Sequence, residues 1–250
     1  MNTTKEIYNM NNSDLVKLEE KEIIEIAKRY RNLFEQYAKT FRNTFESEFV
    51  KAMNTVVNEE LSAGSDMLLG CYCPSPVLDL IIGNVHRGKI LKRVTKRSKP
   101  DTKYGFNEDG KMAVFVDLPP EGYTDYDVRG FVLYDESTVT YICFRKTEEG
   151  TEPEWIAQEE YDTQGRIVRY TFSLFNGFYC NKIQQEIYLY SDRRMEKVIM
   201  WDYLSANCIR QDIYRLHHDS DGLLIGFEDL DCDFWKGHIF EITPSKRRKI

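Results

Sequence analysis

A chain of 250 residues, 42% hydrophobic and 30% charged, can bury a core without disulfide staples, and its formal net charge of -7 disfavours a general affinity for nucleic acid. Its longest apolar stretches, around Met67 to Leu69 and Leu78 to Ile82, fall far short of the roughly 20 residues that a membrane-spanning helix needs. The start, Met1-Asn-Thr-Thr-Lys-Glu-Ile-Tyr8, lacks the apolar segment of a signal peptide, and six scattered cysteines suit reduced thiols, so a cytoplasmic protein without membrane contact is expected.

From Ser13 to Asn58 the apolar residues keep helical spacing. Leu15, Leu18, Ile23, Ile26, Tyr30, Phe34, Tyr37, Phe41, Phe45, Phe49, Met53 and Val56 recur every three to five positions, with Ser13-Asp14 as a candidate cap. The spacing predicts one or two long amphipathic helices whose aromatic row is core. Residues 62–85 mix Gly, Pro and Ser with Met67, Leu68, Leu69, Leu78, Leu80, Ile81 and Ile82, as a partly buried connector would. Within it Cys71-Tyr-Cys73, with His86 further on, is the nearest approach to a metal cluster. Structural zinc sites use wider spacing inside each cysteine pair and a second ligand pair, so no metal and no cofactor is expected. His86 to Lys99 carries seven Lys or Arg and no acid, which suits phosphate contacts, but no aromatic residue lies within it to stack on bases.

The second half is organised by a recurring turn phrase: Asn107-Glu-Asp-Gly110, Asp135-Glu-Ser-Thr138, Asp162-Thr-Gln-Gly165, Ser191-Asp-Arg-Arg194 and Asp219-Ser-Asp-Gly222. The first residues stand 27 to 29 apart, each phrase flanked by aromatic and β-branched residues. The leading Asp or Asn can accept hydrogen bonds from backbone amides ahead of it, and Gly can take the positive φ of a tight loop. Thr138 and Arg194 replace that Gly, so a different loop is expected there. After the third turn, Val168, Tyr170, Phe172 and Leu174 alternate with Arg169, Thr171 and Ser173, the pattern of a half-buried antiparallel strand. Five units of two strands give about ten strands, and Phe234 to Ile242 reads as the last. The expected fold is α+β: N-terminal amphipathic helices packed on a long, twisted antiparallel sheet built from about five degenerate hairpin repeats. Its regions are a helical part with connector and basic segment over 1–99, the hairpin region over 100–245 and a basic tail over 246–250, in one compact unit.

Glu160-Tyr161-Asp162-Thr-Gln-Gly165-Arg166 resembles the tyrosine-aspartate repeats of bacterial Rhs proteins, in which such a phrase opens a strand. Tyr134-Asp135 repeats the pair. In overall character, a helical start followed by a degenerate acidic hairpin sheet, the chain resembles immunity proteins of bacterial polymorphic toxin systems. That resemblance implies a protein that neutralises a toxin domain by covering it.

Side chains able to do chemistry are few. His217 and His218 stand beside Asp219 and could supply a general base, but neighbours on a strand face opposite ways. The same alternation separates Glu159 from Glu160. Asp229, Asp231 and Asp233 would share one face of an extended segment as an acidic stripe. Residues 100–245 carry about twice as many acids as bases. The expected function is therefore non-enzymatic binding of a cognate protein toxin through an acidic, aromatic sheet surface, with Trp201, Tyr203, Asp229, Asp231, Asp233 and Trp235 as partner-binding residues and no catalytic or metal residues. The alternatives are an enzyme with a pocket between helices and sheet, and a nucleic-acid binder using residues 87–99.

Overall fold

The structure, a computed structural model, describes residues 17–95, 98–119, 127–148, 150–205 and 208–250. The candidate cap at Ser13-Asp14 and two cations of the basic run, Lys96 and Arg97, lie outside the described residues.

Helix α1 (Glu20–Phe41) begins where the Glu22 carboxylate reaches back to the amide of Glu19, with Glu20 and Glu22 in the first turn and Lys39 in the last, charges that suit the helix dipole. Ile23, Ala27, Tyr30, Phe34 and Ala38 form its buried stripe. Asn43 and Thr44, both poor helix formers, interrupt the pattern before α2 (Phe45–Met53). The helical spacing continues to Val56, but the chain turns at Asn54-Thr55 and enters β1 (Asn58–Ser65). A single helical turn, α3 (Leu78–Ile81), and a short strand β2 (Arg87–Ile90) follow, so the connector and basic segment already contribute to the sheet.

Eleven further strands succeed one another: β3 (Thr102–Phe106), β4 (Met112–Asp117), β5 (Val128–Tyr134), β6 (Thr138–Thr147), β7 (Gly150–Tyr161), β8 (Ile167–Asn176), β9 (Tyr179–Ser191), β10 (Arg194–Ser205), β11 (Cys208–His218), β12 (Leu224–Asp229) and β13 (Ile239–Glu241). Among the described residues the strands form an antiparallel sheet of 13 in the order β13-β12-β11-β10-β9-β8-β7-β6-β5-β4-β3-β1-β2. Each of the five turn phrases joins two neighbouring strands. In three of them the same loop recurs. The side-chain oxygens of Asn107, Asp162 and Asp219 accept amides two and four residues ahead, and Gly110, Gly165 and Gly222 stand at φ of 72°, 74° and 77°. At the two phrases without Gly the loop is shorter, and Asp192 itself takes the positive φ, 55°.

The chain divides into two compact units, Lys28–Gln185 and the segments up to Ala27 and from Glu186 to Ile250; the boundaries fall within α1 and β9. In the unit Lys28–Gln185, Phe45 and Phe49 of α2 bury against Val114, Phe131, Ile142 and Phe144 on one sheet face, with ring centroids of Phe45 and Phe144 4.6 Å apart. Arg129 fixes α2 from the sheet by an ion pair to Glu46 at 2.9 Å while its guanidinium lies over Phe49. Further along, α1 meets a polar strip: Tyr30 donates to Glu160, which pairs with Arg169 at 2.7 Å. In the unit completed by Glu186–Ile250, Lys197, Ile199, Trp201 and Tyr203 of β10 oppose Arg215, Ile213, Gln211 and Ile209 of β11. The basic tail does not trail away, because Leu224 donates to the carbonyl of Arg248 and Leu223 bridges to Lys249, pairing the tail with β12.

Candidate functional site

The largest exposed apolar side chains of the unit completed by Glu186–Ile250 gather where β12 ends. Asp229 terminates the strand: its Oδ1 accepts the amides of Asp231 and Cys232, turning the chain out of the ladder. One turn of 3₁₀-helix, Asp233–Trp235, follows, and Gly237 at φ 77° sends the chain back as β13. The amide of Gly237 is held by Glu228 Oε1 at 3.2 Å, and that of His238 by the Trp235 carbonyl at 2.8 Å. The 233–238 excursion is therefore anchored at both ends to β12 and its own turn.

It carries an aromatic ladder. Tyr214 meets Phe227 edge-on at 5.8 Å, Phe227 stacks on Phe240 at 5.2 Å, Phe240 meets Trp235 at 5.6 Å, and Trp235 meets Phe234 edge-on at 4.7 Å. Exposure grows along it, reaching 42% at Trp235 and 82% at Phe234. Single exposed apolar residues are ordinary, but a contiguous set on an ordered support marks an interaction surface.

The six expected partner-binding residues divide between two environments. Trp235, Asp229, Asp231 and Asp233 lie on this corner. Trp201 and Tyr203 are buried in β10, at 1% and 4% exposure, opposite Gln211 and Ile209. The three aspartates do not form a strand stripe, because β12 stops at Asp229 and the 3₁₀ turn begins at Asp233. Asp229 caps its own loop, Asp231 pairs with Lys17 at 2.8 Å, and Asp233 is exposed. Phe234, His238 and Phe240 also belong to the corner; the sequence pattern makes Phe234 to Ile242 one strand, and Gly237 in the middle of that run is the signal that it folds back.

The other candidates serve the fold. Glu159 and Glu160 face opposite ways, as alternation requires. Glu159 is buried and accepts from the hydroxyls of Tyr141 and Tyr161; burial raises its pKa, and burial together with that carboxylate raises Tyr141. Of the basic run, Arg87 is spent inside the molecule, donating to Asp79 at 2.9 Å and to the carbonyls of Cys73 and Ser75, whereas Lys89, Lys92 and Arg93 are exposed. Cys73 is buried, and burial and the nearby Asp101 push the Cys71 thiol up. His217 Nε2 lies 3.7 Å from Glu228 Oε2; a bulge separates it from His218, whose pKa is lowered by burial and by Arg194. Among the described residues no three His, Cys, Asp or Glu side chains are grouped to hold a metal ion, and no helix is long and apolar enough to cross a membrane.

Comparison with protein-family models and with curated proteins finds no match to this chain. What fold and site define is a class of architecture, an antiparallel β-meander with a short helical cover and an aromatic corner at the end of its last hairpins.

Proposed function

We propose that the protein is a non-enzymatic binding module that docks a protein partner on the corner formed by Phe234 and Trp235. The observation that carries this reading is the exposure of Phe234, 82%, on a loop whose backbone is tied down at Glu228 and Trp235. Aromatic side chains held in this way are the anchors from which protein interfaces draw most of their affinity, since little conformational freedom remains to be lost on binding. Among the exposed charges of the segment Asp233 and Glu241 outnumber Lys236, which favours a partner of basic charge and speeds its encounter. The fuller reading is an immunity protein: the partner is a cognate toxin domain, basic because it acts on nucleic acid, neutralised by being covered.

The test is direct. The protein is mixed with the product of a toxin-like gene encoded beside it, and complex formation is measured together with protection of cells that express the toxin. Tight binding that weakens at least about tenfold in Phe234→Ala/Trp235→Ala supports the proposal. Absence of binding, or binding indifferent to both substitutions, removes it.

A further inference from the structure

We infer that the outer face of α1 from Lys28 onward, with the tip of the β8–β9 hairpin beside it, is a docking surface for single-stranded RNA. The surface lies in the unit Lys28–Gln185 and does not depend on the aromatic corner. Its sign is opposite to that of the chain as a whole, which carries a net charge of -7: residues 28–45 contain a single acid, Glu35, and Ile167 to Gln185 contain none. Glu35 is half-buried and already engaged, its Oε1 accepting the amide of Cys180 on the hairpin at 3.2 Å. The cations Lys28, Arg29, Lys39 and Arg42 are all exposed. Lys28 and Lys39 stand about three turns apart on one side of the helix, and Arg42 follows one turn later, so positive charge runs for roughly 20 Å along the side away from the buried stripe.

Two guanidinium groups join this face to the rings of the hairpin. Arg31 lies over Tyr179, 5.3 Å from the ring centroid, and Arg42 lies over Phe178 at 4.6 Å. The Tyr179 ring is thereby braced by the helix while the residue stays 55% exposed. A braced, open aromatic ring beside a row of cations is the arrangement on which unpaired nucleotides settle: a base stacks on the ring and the backbone phosphates meet the cations. An acidic peptide would use the cations and leave the ring idle, and a duplex keeps its base faces stacked on one another. Among the cations Asn32, Gln36 and Asn43 expose side-chain amides. Each amide offers a donor and an acceptor together, the combination that a ribose 2′-hydroxyl answers and a deoxyribose cannot. The acids elsewhere in the chain repel a polyanion, but that repulsion fades beyond a Debye length of about 8 Å at physiological salt, which confines binding to this face.

The full chain is titrated into a fluorescently labelled oligouridine at several salt concentrations, and binding is followed by anisotropy. Saturable binding is expected, with log affinity falling against log salt at a slope of about 3, since each of the four cations that meets a phosphate contributes about 0.7 on a single strand. Lys28→Ala/Lys39→Ala is expected to halve that slope while the urea midpoint of unfolding stays unchanged. Tyr179→Ala is expected to weaken binding at least about fivefold at an unchanged slope, and Tyr179→Trp to retain it. Oligodeoxyuridine of the same length and polyglutamate of the same charge are expected to bind more weakly than the RNA. Phe234→Ala/Trp235→Ala is expected to bind RNA as the wild type does, which separates this surface from the one proposed for a protein partner. Absence of saturable binding, an affinity that survives both Lys28→Ala/Lys39→Ala and Tyr179→Ala, or DNA or polyglutamate bound as tightly as RNA overturns the inference.

Discussion

Phe115 on β4 and Trp155 on β7 stack face to face, ring centroids 5.1 Å apart and 13° from parallel, although β5 and β6 lie between them in the sheet. Strands that far apart are separated by roughly 14 Å along a flat sheet. The contact is possible because the intervening positions in register are Gly130 and Cys143. Both are small, so the two rings reach across them. The result is a second buried layer on the sheet face opposite the one Phe45 and Phe49 cover.

Gly130 is then a packing requirement, not a turn residue. A Cβ there would run into the Phe115 ring and the Ile142 carbonyl. Gly130→Ala is expected to destabilise by about 3 kcal/mol or more, as overpacking of a rigid core does. By comparison Gly165→Ala, whose Cβ meets nothing within 4 Å but must accept φ 74°, is expected to cost about 1–2 kcal/mol. Urea denaturation of both variants checks the order; equal losses would show that the Phe115–Trp155 stack does not depend on the gap.

The acidity of Asp117, next to this layer, makes stability pH-dependent. Burial, then the nearby Asp101 and Glu154, raise its pKa from 3.8 to about 6. The native state therefore keeps a proton that the unfolded chain has lost between those values. Its stabilising contribution is complete below about pH 4 and is lost as pH rises through 6, worth about 2 kcal/mol once partial solvent contact is allowed for. Glu159, also raised, adds in the same direction. Asp117→Asn is expected to flatten the profile and to be the more stable protein at neutral pH. A wild-type stability that increases between about pH 4.5 and 7 relative to this variant contradicts the assignment.

Arg169 and Glu160 form a buried ion pair at 2.7 Å under Tyr30, with Arg169 4% exposed. Removing one partner strands the other. Arg169→Met alone is expected to cost about 3–5 kcal/mol, whereas Arg169→Met with Glu160→Leu recovers most of it. The double-mutant cycle, measured by denaturant unfolding, distinguishes this from simple loss of arginine packing, which the second substitution would not repair.

Thiol reactivity maps the units chemically. Burial pushes the Cys180 thiol up to about 12, with Arg31 opposing and Glu35 adding to it, and burial pushes the Cys143 thiol well up too. Cys208 is exposed. In a timed reaction with a thiol reagent at neutral pH, Cys208 is expected to react first, and Cys143 and Cys180 only on unfolding. Early labelling of Cys143 would mean that the layer over Phe115 opens in the native state.

Much of the architecture was legible because it is local. The Asx oxygen and the positive-φ glycine at Asn107–Gly110, Asp162–Gly165 and Asp219–Gly222 act within five residues, and the alternation of Val168 to Leu174 states which positions are a strand. The helical stripe from Ile23 to Ala38 is equally local. Boundaries were less clear. The regular spacing through Met53 and Val56 continued across the end of α2, and residues 58–65 carried no alternation to mark β1, whose place is set by pairing with β2 and β3.

The candidate site shows where such reading stops. Residue types pointed to Trp201, Tyr203 and Trp235 alike, but a tryptophan is equally suited to core and interface, and strand pairing buried two of the three. Whether Asp229, Asp231 and Asp233 form a stripe depended on where a ladder ended, which Asp229 settled by taking two amides for itself. Arg87 turned inward while Arg193 and Arg194 stayed at the surface, and nothing in their residue type separates them. Turns and periodicities depend on neighbours along the chain, which a sequence states outright. Burial, side-chain partners and the free face of a ring depend on neighbours distant along the chain, such as Lys17 and Asp231, 214 positions apart, and those exist only once the sheet has closed its register.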